Sequence, residues 1–149
     1  MIRVEAHRHF AVGLEQGYDY ITELGNWPAY WPRLVRIDPA SRWRAVGDRA
    51  WLVLRLLGRD VELEMTLERI EPYRLIEYTT VQRGLPDARH ERRFAPDDDG
   101  FEYRLAVEFA PREGLRGVSD RLLFKRAVER ALRETVANLE ARFAGDQRA

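Results

Sequence analysis

One stretch decides the fold of this chain: residues 118–143, with the sequence VSDRLLFKRAVERALRETVANLEARF. Its apolar residues recur at steps of three and four, and charged residues fill the other positions, which predicts an amphipathic helix. The apolar face comprises Phe124, Val128, Ala131, Leu132, Thr135, Val136, Leu139 and Phe143. Gly117 or Ser119 would cap its start and Gly145 would end it. A helix of about 39 Å can cross a whole sheet.

The composition indicates one folded domain over residues 1–149. The chain is 45% hydrophobic and contains four tryptophans, which is enough to bury a substantial core. Its 25 basic residues balance its 25 acidic residues, so the net charge is zero. There is then no global field to recruit nucleic acid or an anionic membrane, and we expect no nucleic-acid partner.

Several absences indicate a soluble protein of the cytoplasm. The chain has no cysteine, which excludes disulfides and thiolate metal sites. It has no apolar run of transmembrane length and no signal-peptide-like segment, so we expect a cytoplasmic location without stable membrane insertion. It also lacks a phosphate-binding glycine-rich loop and a nucleophile elbow. The sequence predicts no cofactor and leaves the oligomeric state open.

The first third of the chain combines strands with short helices. Residues 2–10 alternate as a strand does, and residues 13–24 have helical spacing. A second short helix follows, which Asn26 can cap and Pro32 limits to about two turns. Residues 34–37 then begin a series of strands.

Residues 48–57 and 60–70 form the clearest hairpin of the sequence. Gly58-Arg59 would be its two-residue type II′ turn, flanked by the pair Leu57–Asp60. The inward pairs would all be apolar: Leu56–Val61, Leu54–Leu63 and Leu52–Met65. The opposite face would carry the pairs Arg55–Glu62 and Val53–Glu64, so it should meet solvent.

Three further strands, at residues 74–82, 87–94 and 101–109, turn many polar residues inward. Glu77 should point outward, and the polar loop 95–100 joins the last two strands. Matching Phe94 with Phe101 gives three inward pairs: Arg92–Tyr103, His90–Leu105 and Ala88–Val107. The inward polar residues are then Tyr78, Thr80, His90, Arg92 and Tyr103. Since an unpaired polar group is costly in a dry core, this pattern indicates an interior that is not filled.

The order of elements and four segments of sequence resemble the START-like, or helix-grip (SRPBCC), superfamily. The segments are LGNWPAYWP at 24–32, LERIEPYRLIEY at 67–78, RFAPDDDG at 93–100 and RAVERAL at 126–132. They are similar to its polyketide cyclase/dehydrase and lipid-transfer branch, including coenzyme Q-binding-like members. The resemblance implies an α+β fold, in which a curved antiparallel sheet of about seven strands wraps around a long C-terminal helix, with two short helices after the first strand.

This resemblance specifies the fold far better than the function. The superfamily includes lipid carriers, coenzyme Q-binding proteins, aromatase/cyclases and hormone receptors. They share an apolar ligand in a cavity between the sheet and the long helix. No fixed catalytic motif transfers to this chain, so the catalytic residues remain unknown.

Inward-facing residues are candidates for the wall of such a cavity. Trp27, Tyr30 and Trp31 would form an aromatic wall at its mouth, although ordinary packing of the short helices explains them equally well. The sheet and the long helix would supply apolar contacts from Leu54, Leu63, Met65, Leu105, Leu132 and Val136.

His90 and Arg92 would orient a carbonyl, phenolate or carboxylate of the ligand. Tyr78, Thr80 and Tyr103 would be further hydrogen-bond partners. Two alternatives compete with this hypothesis. Arg92 could instead pair with an internal or rim carboxylate, or a one-residue error in register would turn both His90 and Arg92 outward.

Two other groups of residues suggest metal binding only superficially. His7 and His9 share one face of the first strand, but no nearby carboxylate or cysteine completes a ligand set. Residues 97–100, DDDG, lack the spaced ligands of a calcium loop. The sequence therefore predicts a solvated or partly buried histidine pair, a hairpin loop and no metal site.

Three functions follow from these observations. The leading hypothesis is binding or transport of a small hydrophobic molecule such as a lipid, an isoprenoid quinone or a polyketide-like compound. The alternative is a polyketide aromatase/cyclase or dehydrase-like enzyme, in which His90, Arg92 or Tyr103 polarises a ketone or moves a proton. A third possibility is a protein-interaction module whose cavity is filled by side chains.

Overall fold

A computed structural model describes the backbone of residues 1–56 and 58–148 and the side chains of residues 1–56 and 58–145. Its strands are β1 (Ile2–Phe10), β2 (Leu34–Asp38), β3 (Arg49–Leu56), β4 (Arg59–Glu71), β5 (Leu75–Val81), β6 (Ala88–Asp97) and β7 (Gly100–Phe109). Its helices are α1 (Leu14–Thr22), α2 (Trp27–Tyr30), α3 (Leu115–Ser119) and α4 (Lys125–Arg148). This α+β arrangement confirms the predicted helix-grip fold.

The strands form one antiparallel sheet in the order β1-β7-β6-β5-β4-β3-β2. The first strand therefore pairs with the last, with Ile2 opposite Phe109 and Phe10 opposite Phe101. Side chains alternate between the two faces of each strand. The inner face supplies most of the core, whereas the outer face is covered by ion pairs such as Arg3–Glu108 and Arg89–Glu77.

The C-terminal helix is longer than the sequence predicted. α3, a π-helical turn over Asp120–Phe124 and α4 follow one another without a break. Gly114, at φ +70°, precedes the first turn, in place of the predicted caps Gly117 and Ser119. The helix also continues through Gly145, because one glycine costs a helix only about 1 kcal/mol.

The predicted apolar face of the helix packs on the sheet at its C-terminal end. Leu132, Thr135, Val136, Leu139 and Phe143 are buried. Charged residues such as Arg133, Glu134 and Glu140 occupy the exposed face of this end. Over the described residues, no helix is long and apolar enough to cross a membrane.

The β3–β4 hairpin differs from the prediction by two residues in register. Leu56 lies opposite Arg59 and Leu54 opposite Val61, so the turn falls one position earlier than Gly58-Arg59. Gly58 has φ +76°, which glycine adopts without strain. Leu57, and with it the predicted Leu57–Asp60 pair, lies outside the described residues. A shift of two leaves every side chain on its predicted face.

The β6–β7 hairpin shows the same two-residue shift. Phe94 lies opposite Tyr103, Arg92 opposite Leu105 and His90 opposite Val107. The strands extend into the predicted loop 95–100 because the start of β7 is also paired with β1. His90, Arg92 and Tyr103 still face the interior, so the alternative of a one-residue register error is excluded.

Val53 and Glu77 lie on the outer face of the sheet but are buried rather than solvated. Val53 lies opposite Arg36 of β2 and Glu62 of β4, and these two flanking strands cover it. Glu77 points outward as predicted, but the Arg89 guanidinium lies 2.8 Å from its carboxylate and shields it from water. Long arginine side chains can cover a surface in this way.

Candidate functional site

A cavity of about 480 Å³ lies between the inner face of the sheet and the first half of the long helix. This volume is typical of small-molecule sites, which measure roughly 300–1,000 Å³. The apolar side chains that line it include Leu54, Leu56, Leu63, Leu85, Leu105, Val107, Leu123, Phe124, Val128 and Leu132. Since Leu123 is 68% exposed, the cavity reaches the protein surface beside the helix.

The structure brings together most, but not all, of the predicted site residues. Those that line the cavity are Trp31, Leu54, Leu63, Tyr78, Thr80, His90, Arg92, Leu105 and Leu132. Those that are buried in the surrounding core instead are Trp27, Tyr30, Met65, Tyr103 and Val136. Both interpretations of the aromatic segment therefore apply, because Trp31 lines the cavity while its two neighbours pack behind it.

Arg92 is the central polar residue of the cavity wall. Its Nε and Nη2 donate to the Tyr78 hydroxyl at 3.2 and 3.0 Å, and its Nη1 donates to the Tyr30 hydroxyl at 2.8 Å. The guanidinium also lies over the Trp27 ring, 4.1 Å from its centroid. These hydrogen bonds and the cation–π contact hold the side chain in one orientation.

Arg92 has no acidic partner among the described side chains. Its side chain is only 2% exposed, yet among residues 1–56 and 58–145 no carboxylate oxygen lies within 4.0 Å of it. The predicted alternative of a salt bridge therefore does not apply. An arginine side chain stays protonated, so this part of the cavity wall carries a positive charge that neutral hydroxyls and aromatic rings solvate.

The tyrosines around Arg92 remain protonated at neutral pH. Burial raises the pKa of the Tyr30 and Tyr78 hydroxyls, and it raises the pKa of Tyr103 to about 12, although the nearby guanidinium acts in the opposite direction. Tyr30 uses its proton to donate to the Ile21 carbonyl at 2.8 Å. The Tyr103 hydroxyl has no partner of ordinary hydrogen-bond length and angle among the described residues.

His90 is neutral. Its ring stacks on Tyr78, with centroids 4.5 Å apart and planes 9° from parallel, and its Nε2 is hydrogen-bonded to the Thr80 hydroxyl at 3.0 Å. Burial, with the positive charge of Arg92 as a second cause, lowers the pKa of His90 to about 3. A base with this pKa takes up a proton poorly at neutral pH.

The helix side of the cavity carries a salt bridge that the sequence analysis missed. The Arg112 guanidinium donates to both carboxylate oxygens of Asp120, at 2.9 and 2.7 Å, and both residues line the cavity. These hydrogen bonds hold the pKa of Asp120 below its usual value. Asp120 lies four residues before Phe124, on the apolar face of the helix. An acid at an inward position needs a partner, and this is how the sequence could have indicated the salt bridge.

The histidine pair on β1 does have acidic neighbours, so that part of the sequence analysis was wrong. His9 Nδ1 lies 2.7 Å from Asp97 and its Nε2 lies 2.8 Å from Asp99, while His7 contacts Glu102 at 3.0 Å. The hydrogen bond to Asp97 raises the pKa of His9. The sequence did not show that β1 adjoins the β6–β7 hairpin. We interpret the cluster as ion pairs between strands, on the face away from the cavity.

Comparison with known proteins agrees with this architecture. A family described as polyketide cyclase / dehydrase and lipid transport matches residues 1–144. The chain belongs to this family. No functionally curated protein is significantly similar in sequence.

Solved structures with the fold of this family superpose over most of the chain. The Zhui aromatase/cyclase from Streptomyces sp. R1128 is 14% identical with a TM-score of 0.81, over 96% of this chain and 93% of that one. TTHA0849 from Thermus thermophilus is 17% identical with a TM-score of 0.79, over 97% and 99%. DynU16, a protein of the dynemicin biosynthetic locus, is 11% identical with a TM-score of 0.68, over 93% and 46%. At these identities the similarity establishes the fold alone.

Proposed function

We propose that this protein binds a small, mostly apolar molecule whose single polar group is a carboxylate, phenolate or carbonyl. The observation that carries the proposal is Arg92, a buried cation in the wall of an apolar cavity that has no acidic partner within the described part of the chain. Charge-assisted hydrogen bonds are stronger than neutral ones, so an anionic or strongly accepting ligand group would compensate this charge best. Lipids, isoprenoid quinones and polyketide-like compounds fit this description.

The apolar wall would provide most of the affinity. Burying about 300 Å² of apolar ligand surface contributes roughly 7 kcal/mol at 25 cal/mol per Å². Loss of rotational and translational freedom offsets a substantial part of this gain. The polar group would then select the orientation in which the ligand enters, because Tyr78, His90 and Arg92 line the cavity on its buried sheet side.

The first experiment is to purify the protein natively, extract it with organic solvent and identify any copurifying lipophile by mass spectrometry. A second experiment uses a matched pair of fluorescent probes, cis-parinaric acid and its methyl ester. We expect the acid to bind more tightly than the ester, because only the acid carries a negative charge for Arg92. Arg92→Gln should weaken binding of the acid about tenfold or more.

Arg104→Gln is the matched control, because Arg104 is exposed on the outer face of β7. It should leave the affinity for both probes unchanged. Arg92→Lys keeps the charge and should retain part of the preference for the acid, which separates loss of charge from loss of folding. Equal binding of acid and ester by the unmodified protein would refute the role of Arg92.

A catalytic function is the second candidate, and the donors around Arg92 are the observation that favours it. Arg92 together with the protonated Tyr78 hydroxyl could polarise a ketone in a reaction of the aromatase/cyclase type, the type that names the structurally similar Zhui protein. His90 is a poor proton acceptor at its lowered pKa, so we do not assign it as the base. Turnover of a synthetic poly-β-ketone thioester, followed by mass spectrometry, tests this function. Absence of turnover with intact probe binding would favour the carrier.

The third possibility, a protein-interaction module, required an interior filled by side chains. The described residues leave a space of about 480 Å³, which does not favour it. The expected cytoplasmic location, the absence of a nucleic-acid partner and the absence of a cofactor stay predictions.

A further inference from the structure

The start of the long helix exposes an unusual concentration of large apolar side chains. Leu115 is 90% exposed, Val118 52%, Leu122 56% and Leu123 68%. Single exposed apolar residues are normal on a protein surface, but four within nine residues form a patch. We call these four residues the apolar patch.

The apolar patch continues into the cavity. Leu115, Val118 and Leu122 follow one another at helical spacing and so share one side of the helix. Leu123 belongs both to the patch and to the cavity lining, and Phe124 next to it also lines the cavity. The apolar patch and the apolar wall of the cavity therefore meet at Leu123.

The surroundings of the apolar patch are basic, although the whole chain is neutral. Arg116, Arg121 and Arg126 are exposed beside it. The nearest acid within the helix, Asp120, is buried and already paired with Arg112. Three exposed arginines thus border the apolar patch. Glu113 is an exposed acidic residue next to it, so the balance there is positive.

We propose that the apolar patch docks this protein on an anionic membrane surface, where the hydrophobic ligand enters or leaves the cavity. Apolar side chains bordered by basic ones are what peripheral helices use to lie in the interface of an anionic bilayer. A second copy of this chain is a poorer occupant, because its own arginines would repel those beside the patch. Such docking is peripheral and needs no membrane-spanning helix.

Vesicle co-sedimentation tests the proposal without any ligand, so it does not depend on the proposed binding function. The protein should sediment with vesicles of phosphatidylcholine containing phosphatidylglycerol, and much less with phosphatidylcholine alone. The double substitution Leu115→Gln and Leu122→Gln should lower the partition coefficient at least about tenfold, since each leucine loses apolar contact with the bilayer. Neither residue lines the cavity, so binding of cis-parinaric acid should not change.

The matched control replaces Val46 and Trp51, which are 62% and 52% exposed at other places on the surface. Val46→Gln with Trp51→Gln should leave vesicle binding unchanged. A charge variant, Arg116→Gln with Arg121→Gln, should weaken binding to the anionic vesicles about fivefold per arginine, and the difference should shrink at high salt.

Two results would overturn the proposal. One is sedimentation with anionic vesicles that the leucine substitutions leave unaltered. The other is an oligomer that these substitutions dissociate in analytical ultracentrifugation, which would make the patch an interface between copies of the chain. If the unmodified protein does not bind cis-parinaric acid at all, that result contradicts the proposed function but not the docking surface.

Discussion

His90 and Arg92 occupy neighbouring inward positions of β6, and burial affects their charges differently. Arginine keeps its proton in any protein environment, so Arg92 is charged and must be solvated by Tyr30, Tyr78 and the face of Trp27. Histidine can lose its proton, and it does so here because burial and the adjacent cation both oppose a second positive charge. Of these two neighbouring positions, only Arg92 is therefore charged.

The lowered pKa of His90 predicts a loss of stability in mild acid. In the unfolded chain His90 has an ordinary pKa near 6.5, whereas in the folded protein its pKa is about 3. Between these values the unfolded state binds the extra proton, so stability is full above pH 6.5 and falls as the pH falls. From pH 7 to pH 5 His90 should cost about 2 kcal/mol of unfolding free energy.

Urea unfolding of the unmodified protein and of His90→Gln at both pH values measures this cost. The loss between pH 7 and pH 5 should be about 2 kcal/mol smaller in the variant, while all other titrating groups cancel in the comparison. An identical loss in both proteins would show that His90 is protonated in the folded state, contrary to the structure.

Alternation along the strands predicted which way Tyr78, His90 and Arg92 face, because that depends only on local geometry. The partners of Arg92 could not be predicted in the same way. Trp27 and Tyr30 lie more than sixty residues away in α2, and only the docking of that helix against the sheet brings them to the guanidinium. Met65 and Val136 were likewise predicted to face the interior, and they do. They are buried in the core beside the cavity, however, rather than in its wall.

At the scale of elements, α1 approaches the sheet so closely that one of its positions admits only glycine. A Cβ atom on Gly17 would lie 2.2 Å from the ring of Phe101, which is fully buried in β7. That ring is held between Phe10, Phe94 and Phe143 and cannot move aside. Gly17→Ala should therefore destabilise the protein by about 1–3 kcal/mol through overpacking.

Gly13→Ala provides the control for this prediction, because a Cβ at Gly13, just before the same helix, would meet nothing within 4 Å. Its unfolding midpoint in urea should stay close to that of the unmodified protein. If alanine at position 17 were tolerated as well as at position 13, the close packing of α1 on β7 would be wrong.

The hairpins show what a sequence can and cannot specify about an element. The predicted faces of β3, β4, β6 and β7 are correct, because they follow from a period of two. The predicted register was wrong by two residues in both hairpins, since every even shift satisfies the same alternation. In the structure the last pair before each turn is Leu56–Arg59 in one hairpin and Asp97–Gly100 in the other.

At the scale of the whole molecule, the long helix joins a buried half to an exposed one. Val136 and Leu139 are buried against the sheet, whereas the segment from Leu115 to Leu123 carries the apolar patch on its surface. Elements with few buried apolar contacts open locally at low free energy. Amides of residues 136–139 should therefore exchange with deuterium far more slowly than those of residues 118–123.

Hydrogen exchange followed by mass spectrometry can resolve the two halves as separate peptides. Equal protection of both would mean that the helix opens only as a unit, and the first half could not then move independently at the cavity mouth. Bound cis-parinaric acid should slow exchange in the first half more than in the second, because Leu123 and Phe124 line the cavity.

The pairing of β1 with β7 has a consequence for how the protein is made. Ile2 emerges from the ribosome about a hundred residues before Phe109, its partner in the sheet. At synthesis rates of about 5–20 residues per second, the nascent first strand is without its partner for roughly 5–20 s. Its polar and charged outer positions, Arg3, Glu5, His7 and His9, discourage pairing with other nascent chains meanwhile. The sheet therefore closes on its β1 side only after translation has passed β7.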